Sequence, residues 1–85
     1  MPVSDETLLQ GIRLVAAEHL QYQEPIVPQT RLVEGMALDS IRMLTLVVEL
    51  ENHFKVILEE EDEEGIETVL DLMRVLRSRM GSEGA

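Results

Sequence analysis

Helical spacing of apolar residues dominates the first part of the chain. Ser4 precedes Asp5 and Glu6, an arrangement typical of an N-cap followed by acids at the positive end of a helix dipole. The apolar positions that then recur at intervals of three and four are Leu8, Leu9, Ile12, Val15, Ala16 and Leu20. This pattern predicts a first helix over residues 5–20.

Two prolines end that periodicity. Pro25 and Pro28 cannot continue a helix, so residues 21–37 are predicted to form a long loop. In so short a chain, a loop of this length is usually anchored to the core or functional. The candidate anchors are its apolar residues, Ile26, Val27, Leu32, Val33 and Met36.

A second helical pattern covers residues 41–54, and Ser40 is well placed to cap it. At about 100° per residue, this helix is apolar on two opposite sides. One side carries Met43, Leu46, Val47, Leu50 and Phe54, and the other carries Ile41, Leu44 and Val48 together with Thr45 and Asn52. Either the second helix is central in the domain, or one of its apolar sides is presented to another molecule.

Six consecutive acids at residues 59–64 precede the last helical pattern. They lack the alternation and the midway glycine of a calcium-binding loop, so we expect a solvated surface and no metal site. Thr68 and Asp71 have a spacing close to that of a capping box, and apolar residues follow at helical intervals as far as Met80. Residues 1–80 are therefore predicted to form one domain and residues 81–85 a disordered tail.

Composition narrows the fold class to all-α. Apolar residues make up 45% of the 85 residues, yet the only aromatic ones are one Tyr and one Phe. Such an aliphatic core favours helices packed on helices over a β-sandwich. Because the chain has no cysteine, it offers neither a disulfide framework nor a thiolate zinc site.

Charge narrows the choice of partners. The chain has 17 acidic and 7 basic side chains, for a formal charge of −10. Binding to nucleic acid or to an anionic membrane needs clustered cations, so basic protein surfaces are the natural partners. The sequence has no signal-peptide pattern and no apolar run near the roughly 20 residues of a membrane span. We expect a cytoplasmic monomer without stable membrane insertion.

Catalytic machinery is scarce. His19 and His53 are isolated, and each ends a predicted helix, where a favourable interaction with the dipole is the usual role. A triad of Ser40, His53 and Asp39 fails because Asp39 adjoins the serine and His53 lies several helical turns away. The sequence therefore predicts that the protein is not an enzyme.

Ser40 has a different possible role. A phosphodiester attached to a residue at a helix N-terminus would face free N–H groups and the positive end of the helix dipole. The alternative role for Ser40 is plain capping, worth about 1 kcal/mol.

The chain resembles the acyl carrier protein family. The resemblance rests on residues 32–41, which end in Leu38-Asp39-Ser40-Ile41, and on the following set: Leu44, Leu46, Val47, Leu50, Glu51, Phe54, Ile66, Thr68, Val69 and Leu72. It implies a four-helix bundle of three longer helices and a short one within residues 60–65. It also implies that Ser40 carries 4'-phosphopantetheine, transferred from coenzyme A by a phosphopantetheinyl transferase. The arm's thiol would hold acyl groups as thioesters for acyl-transferring, condensing or ligating enzymes.

The resemblance also assigns roles to other side chains. Asp39 and Ile41 flank the serine where modifying enzymes bind. The positions that match the lining of the acyl pocket are Leu44, Val47, Leu58 and Ile66. The positions on the partner-binding surface are Ile41, Arg42, Thr45, Val48 and Asn52.

The chain departs from common fatty-acid carriers on that surface. Arg42, Thr45 and Asn52 stand where acids are usual, and Gly35 and Ala37 replace an acid and a glycine. These departures favour a specialised pathway, such as polyketide synthesis, over housekeeping fatty-acid synthesis. Two alternatives stay open: an aminoacyl or D-alanyl carrier, and an unmodified helical interaction module.

Overall fold

The computed structural model describes residues 4–81, and they form four helices. These are α1 (Asp5–His19), α2 (Ser40–Phe54), the short α3 (Glu60–Glu64) and α4 (Val69–Gly81). The all-α prediction is confirmed, as is the prediction of three longer helices and one short helix. Gly81, assigned by the sequence pattern to the tail, ends α4. Residues 82–85, the remainder of the predicted tail, lie outside the described residues.

The first and last long helices begin as their sequences predict. At α1, Ser4 Oγ accepts a hydrogen bond from the Thr7 N–H at 3.2 Å. At α4, the Thr68 N–H donates to Asp71 Oδ2 at 3.1 Å, and the Asp71 N–H donates to Thr68 Oγ1 at 3.2 Å. Both helices therefore have N-terminal amides satisfied by nearby side chains, which fixes where they start.

The start of α2 differs by one residue from its prediction. The sequence predicts Ser40 as the cap of this helix, but Asp39 is the N-cap and Ser40 is the first helical residue. Asp39 has extended backbone, and its Oδ1 accepts from the Arg42 N–H at 2.8 Å. Aspartate and serine are about equally good caps. The capping prediction for Ser40 is thus wrong, and its hydroxyl is not needed to begin the helix.

The long loop is anchored to the core and to the start of α4. Ile26, Leu32 and Met36 are buried as predicted, whereas Val27 and Val33 are exposed and anchor nothing. The Leu32 N–H donates to the Glu67 carbonyl at 3.0 Å, and Arg31 forms an isolated antiparallel bridge with Thr68. Nε and Nη2 of Arg13 donate to the Ile26 carbonyl at 3.1 and 2.7 Å. The loop is therefore held at both ends before the chain enters α2.

The core is aliphatic, as the composition predicts. Its buried side chains come from α1, the loop, α2 and α4, and no polar side chain in residues 4–81 is buried with them. Gly11 lets α1 and α2 approach closely, because a Cβ there would lie 2.3 Å from Phe54 Cζ. None of the helices described is long and apolar enough to cross a membrane.

Candidate functional site

The candidate site is the N-terminal end of α2, where Ser40 is exposed. The chain reaches it from Leu38, which is buried and whose N–H donates to the Leu32 carbonyl at 3.3 Å. The first four N–H groups of a helix have no intrahelical acceptor. Of these, the Arg42 N–H donates to Asp39 Oδ1 at 2.8 Å. Regular intrahelical bonding begins with the Met43 N–H, which donates to the Asp39 carbonyl at 2.8 Å. The amides of Ser40 and Ile41 are left at the helix end.

The turn before the site has an unusual backbone. Ala37 has a φ of 56°, which lies in the left-handed region that glycine adopts more readily than any other residue. The expectation that a glycine is usual at this position agrees with this backbone conformation, which alanine adopts here. Gly35 is required for a different reason, because a Cβ would lie 2.6 Å from the Arg31 carbonyl oxygen.

The donor groups at this end of α2 fit a phosphodiester on Ser40 Oγ. The hydroxyl is exposed and is not consumed as a cap, and the adjacent amides and the helix dipole favour an anion. Arg42 adds an exposed positive charge two residues on. The Asp39 carboxylate opposes an anion, but it already accepts a hydrogen bond from the backbone.

Three of the four predicted acyl-pocket residues lie in the core. Val47, Leu58 and Ile66 are buried in one hydrophobic cluster, whereas Leu44 is 58% exposed. The structure also shows a role for Glu51, which holds the backbone at Leu58. Glu51 Oε2 accepts from the Leu58 N–H at 2.7 Å, and its carbonyl accepts from the Val56 N–H at 3.1 Å. This role could not be predicted from the sequence, because a glutamate in a helical pattern gives no indication of which loop amide it will accept from.

The second apolar stripe of α2 faces solvent, so this helix is not buried on both of its apolar sides. Ile41 is 76% exposed and Val48 is 40% exposed. We call this surface the outer face of α2, comprising Ile41, Arg42, Leu44, Thr45, Val48 and Asn52. Thr45 is half-buried, and its hydroxyl donates to the Ile41 carbonyl at 3.0 Å.

The histidines lie away from Ser40. His19 ends α1, and its Nε2 is 3.4 Å from Glu49 Oε1. His53 packs edge-on against Phe54, with ring centroids 4.8 Å apart. Thirteen residues of helix put His53 about 20 Å from Ser40 along the axis. In the part of the chain that the structure describes, no three His, Asp or Glu side chains converge as metal ligands.

The described residues thus form a four-helix bundle whose second helix begins with an exposed serine. The family described as "phosphopantetheine attachment site" matches residues 10–76, and the chain belongs to this family. The acyl carrier protein of Thermosynechococcus vestitus is 24% identical over 81 residues, covering 94% of this chain and all of that protein. The meromycolate extension acyl carrier protein of Mycobacterium bovis is 30% identical over 79 residues, covering 91% of this chain and 68% of that protein.

The fold is also similar to that of a solved acyl carrier protein. The crystal structure of the acyl carrier protein from Thermotoga maritima superimposes with a TM-score of 0.83, covering 92% of each chain at 23% identity. The protein is accordingly a carrier and not a catalyst, with 4'-phosphopantetheine as its cofactor. Its carrier role entails acyl chains and the enzymes that act on them as partners.

Proposed function

We propose that Ser40 is the residue to which phosphopantetheine is attached. The assignment is based on the family match taken together with the positions of the serines in the chain. The chain has serines at 4, 40, 78 and 82, and only Ser40 lies within residues 10–76. It is also exposed, whereas Ser4 is engaged as the cap of α1.

The loading reaction consumes the Ser40 hydroxyl. Ser40 Oγ bonds to the phosphorus of the pantetheine phosphate and loses its proton, while the pyrophosphate bond of coenzyme A breaks and adenosine 3',5'-bisphosphate leaves. The attached arm supplies a thiol for thioesters, which a chain without cysteine cannot provide itself. Asp39 starts the helix, and the amides of Ser40 and Ile41 stabilise the phosphodiester anion.

Two surfaces complete the proposed carrier. Val47, Leu58 and Ile66 contact the acyl chain in the core, and Leu44, one turn after Ser40 and exposed, lies at the entrance. The outer face of α2 docks the phosphopantetheinyl transferase and the acyl-transferring, condensing or ligating enzymes. The tethered arm then gives the acyl group a high effective concentration at each docked active site.

The cargo belongs to fatty-acid, polyketide or related acyl synthesis. A relative named for meromycolate extension supports an acyl cargo, and the unusual residues at 42, 45 and 52 support a specialised partner set. Aminoacyl or D-alanyl cargo is the alternative. A cytoplasmic location belongs to the same proposal, because loading draws on coenzyme A.

Intact-protein mass spectrometry tests the assignment of Ser40. The protein is incubated with coenzyme A, Mg²⁺ and a broad-specificity phosphopantetheinyl transferase, alongside Ser40→Ala and Ser78→Ala as a matched control. We expect a single phosphopantetheinyl increment on the wild type and on Ser78→Ala, and none on Ser40→Ala. An increment that persists in folded Ser40→Ala overturns the assignment. No increment on the folded wild type, with more than one transferase, favours the unmodified interaction module.

A further inference from the structure

The acids of α2 are already engaged within the fold. The helix carries only two, Glu49 and Glu51, and its first turn has none. Glu49 lies 3.4 Å from His19, and Glu51 accepts from the Leu58 N–H at 2.7 Å. Both also lie seven or more residues beyond Arg42, which is more than about 10 Å along the helix axis. At physiological salt this separation exceeds the screening length of about 8 Å.

Arg42 is therefore the only charged residue on the outer face of α2, and the nearest acid in sequence is Asp39, whose carboxylate lies at the helix N-terminus and accepts the Arg42 N–H. The side chain is exposed, and none of the ion pairs found among the described residues includes it. Its neighbours on the outer face of α2 are apolar or uncharged, and the Thr45 hydroxyl is occupied by the Ile41 carbonyl. The five N–H donors of the guanidinium are thus available to a partner.

This local charge has the opposite sign to the molecule as a whole. The formal charge is −10, with six consecutive acids at residues 59–64. A basic partner is attracted from a distance by this total charge, but a basic group that reaches the outer face of α2 meets Arg42. Like charges that meet at an interface weaken binding and so select against that partner. Charges at the rim of an interface act mainly by changing the association rate.

We infer that Arg42 is a specificity-determining residue, which admits partner enzymes carrying a carboxylate beside an apolar hollow and disfavours those whose docking groove is basic. The apolar hollow covers Ile41, Leu44 and Val48, and the carboxylate pairs with the Arg42 guanidinium in the forked geometry that arginine favours. This inference rests on the proposed function, since docking beside Ser40 is what brings a partner to Arg42.

A transferase with a basic docking groove is a suitable probe. KM and kcat for phosphopantetheine transfer are measured with the wild type, Arg42→Glu and Arg74→Glu. Arg74 is exposed on α4, so its replacement changes the charge equally but away from the outer face of α2. We expect Arg42→Glu to lower KM about fivefold or more with little change in kcat, and Arg74→Glu to have a much smaller effect. The effect of Arg42→Glu should shrink in roughly 0.5 M NaCl.

A charge-swapped probe tests the attractive half of the inference. Replacing the groove cation nearest position 42 with glutamate should reverse the preference, so that the wild type has the lower KM and Arg42→Glu the higher. The inference is overturned if Arg42→Glu leaves KM unchanged or raises it with the basic groove, or if Arg74→Glu has an equal effect. It is also overturned if the swapped groove does not reverse the preference. Mass spectrometry separates these outcomes from failure of the proposed function, which appears as folded variants that no transferase modifies at Ser40.

Discussion

Asp39 and Ser40 have separate tasks at the start of α2 in the proposed carrier. Asp39 satisfies the Arg42 N–H and begins α2, so the Ser40 hydroxyl is left for chemistry. If the serine were the cap, its modification would remove an acceptor from the helix end. In the proposed carrier, the hydroxyl that is modified and the carboxylate that caps the helix belong to different residues, so loading would leave the cap of α2 intact.

Replacing each of these residues by alanine should therefore have unequal effects on stability. We expect Asp39→Ala to lower the free energy of unfolding by about 1 kcal/mol, because a cap is lost. Ser40→Ala should change it by less than about 0.5 kcal/mol, as for an exposed residue without a structural role. Urea unfolding followed by circular dichroism measures both, and Asp39→Asn, which retains a capping oxygen, is the control. A larger loss for Ser40→Ala than for Asp39→Ala would contradict the division of tasks.

Sequence reasoning predicts individual caps well only where one candidate stands alone. Ser4 is followed by a clear helical pattern, and no capping residue directly precedes it. Thr68 and Asp71 cap α4 by reciprocal hydrogen bonds. Asp39 and Ser40 are adjacent, and the choice between them depends on which one has extended backbone. The segment just before them contains the turn at Ala37 and the buried Leu38, and the packing of Leu38 into the core is not visible in the local sequence.

At the scale of elements, α3 is the helix held least by the core. None of its residues is buried. Asp62 Oδ2 accepts from the Glu59 N–H at 2.9 Å and from Arg79 Nε and Nη2 at 2.8 and 2.6 Å, which ties α3 to α4. The Glu59 N–H, and secondly the Arg79 guanidinium, lower the pKa of Asp62 below its ordinary value of 3.8. The Asp62 carboxylate therefore links the N-terminal end of the short helix to α4.

Acid should release α3 through Asp62. Because the pKa of Asp62 is lowered in the folded protein, its stabilising contribution is present above pH 3.8 and is lost as the pH falls through the lowered value. Arg79→Gln should move the Asp62 titration midpoint toward 3.8 and speed amide exchange in Glu60–Glu64. Side-chain carboxyl NMR against pH and hydrogen exchange measure these effects.

Asp71 provides the internal control for that experiment. Its pKa is also lowered, chiefly by the Glu67 and Thr68 N–H groups, with no contribution from Arg79. Its titration should therefore be the same in Arg79→Gln as in the wild type. Equal shifts of both aspartates would indicate a general change in the fold, and no shift of Asp62 would show that Arg79 does not hold α3.

The helices themselves could be predicted from the sequence, but the way the loop is held could not. A period of about 3.6 residues is a local signal, and it located the three long helices, whereas α3 was expected only from the family resemblance. The pairing of Arg31 with Thr68 and of Leu32 with Glu67 joins segments far apart in sequence, for which the apolar pattern carries no information. For the same reason Val27 and Val33 could not be separated from the true anchors, since all are apolar loop residues.

At the scale of the whole molecule, charge repulsion opposes compactness. Of the seven basic side chains, Arg31, Arg77 and Arg79 each pair with a carboxylate, at Glu34, Asp5 and Asp62. With 17 acids in the chain, most of the negative charge has no such compensation. The radius of gyration is only 11.8 Å, so at about 10 mM salt the screening length of about 30 Å exceeds it and the acids repel one another across the molecule.

Raising the ionic strength should therefore stabilise the fold. Two effects compete, because salt also weakens the surface ion pairs, but each such pair contributes only about 0–1 kcal/mol. Repulsion summed over a formal charge of −10 outweighs them, so we expect Tm to rise by about 5 °C between roughly 10 mM and 500 mM NaCl. Calorimetry on the wild type and on a variant with Glu60→Gln and Glu61→Gln measures this. The variant should have the higher Tm at low salt and the smaller dependence on salt, whereas a Tm that falls with salt would mean that the ion pairs contribute more than the repulsion.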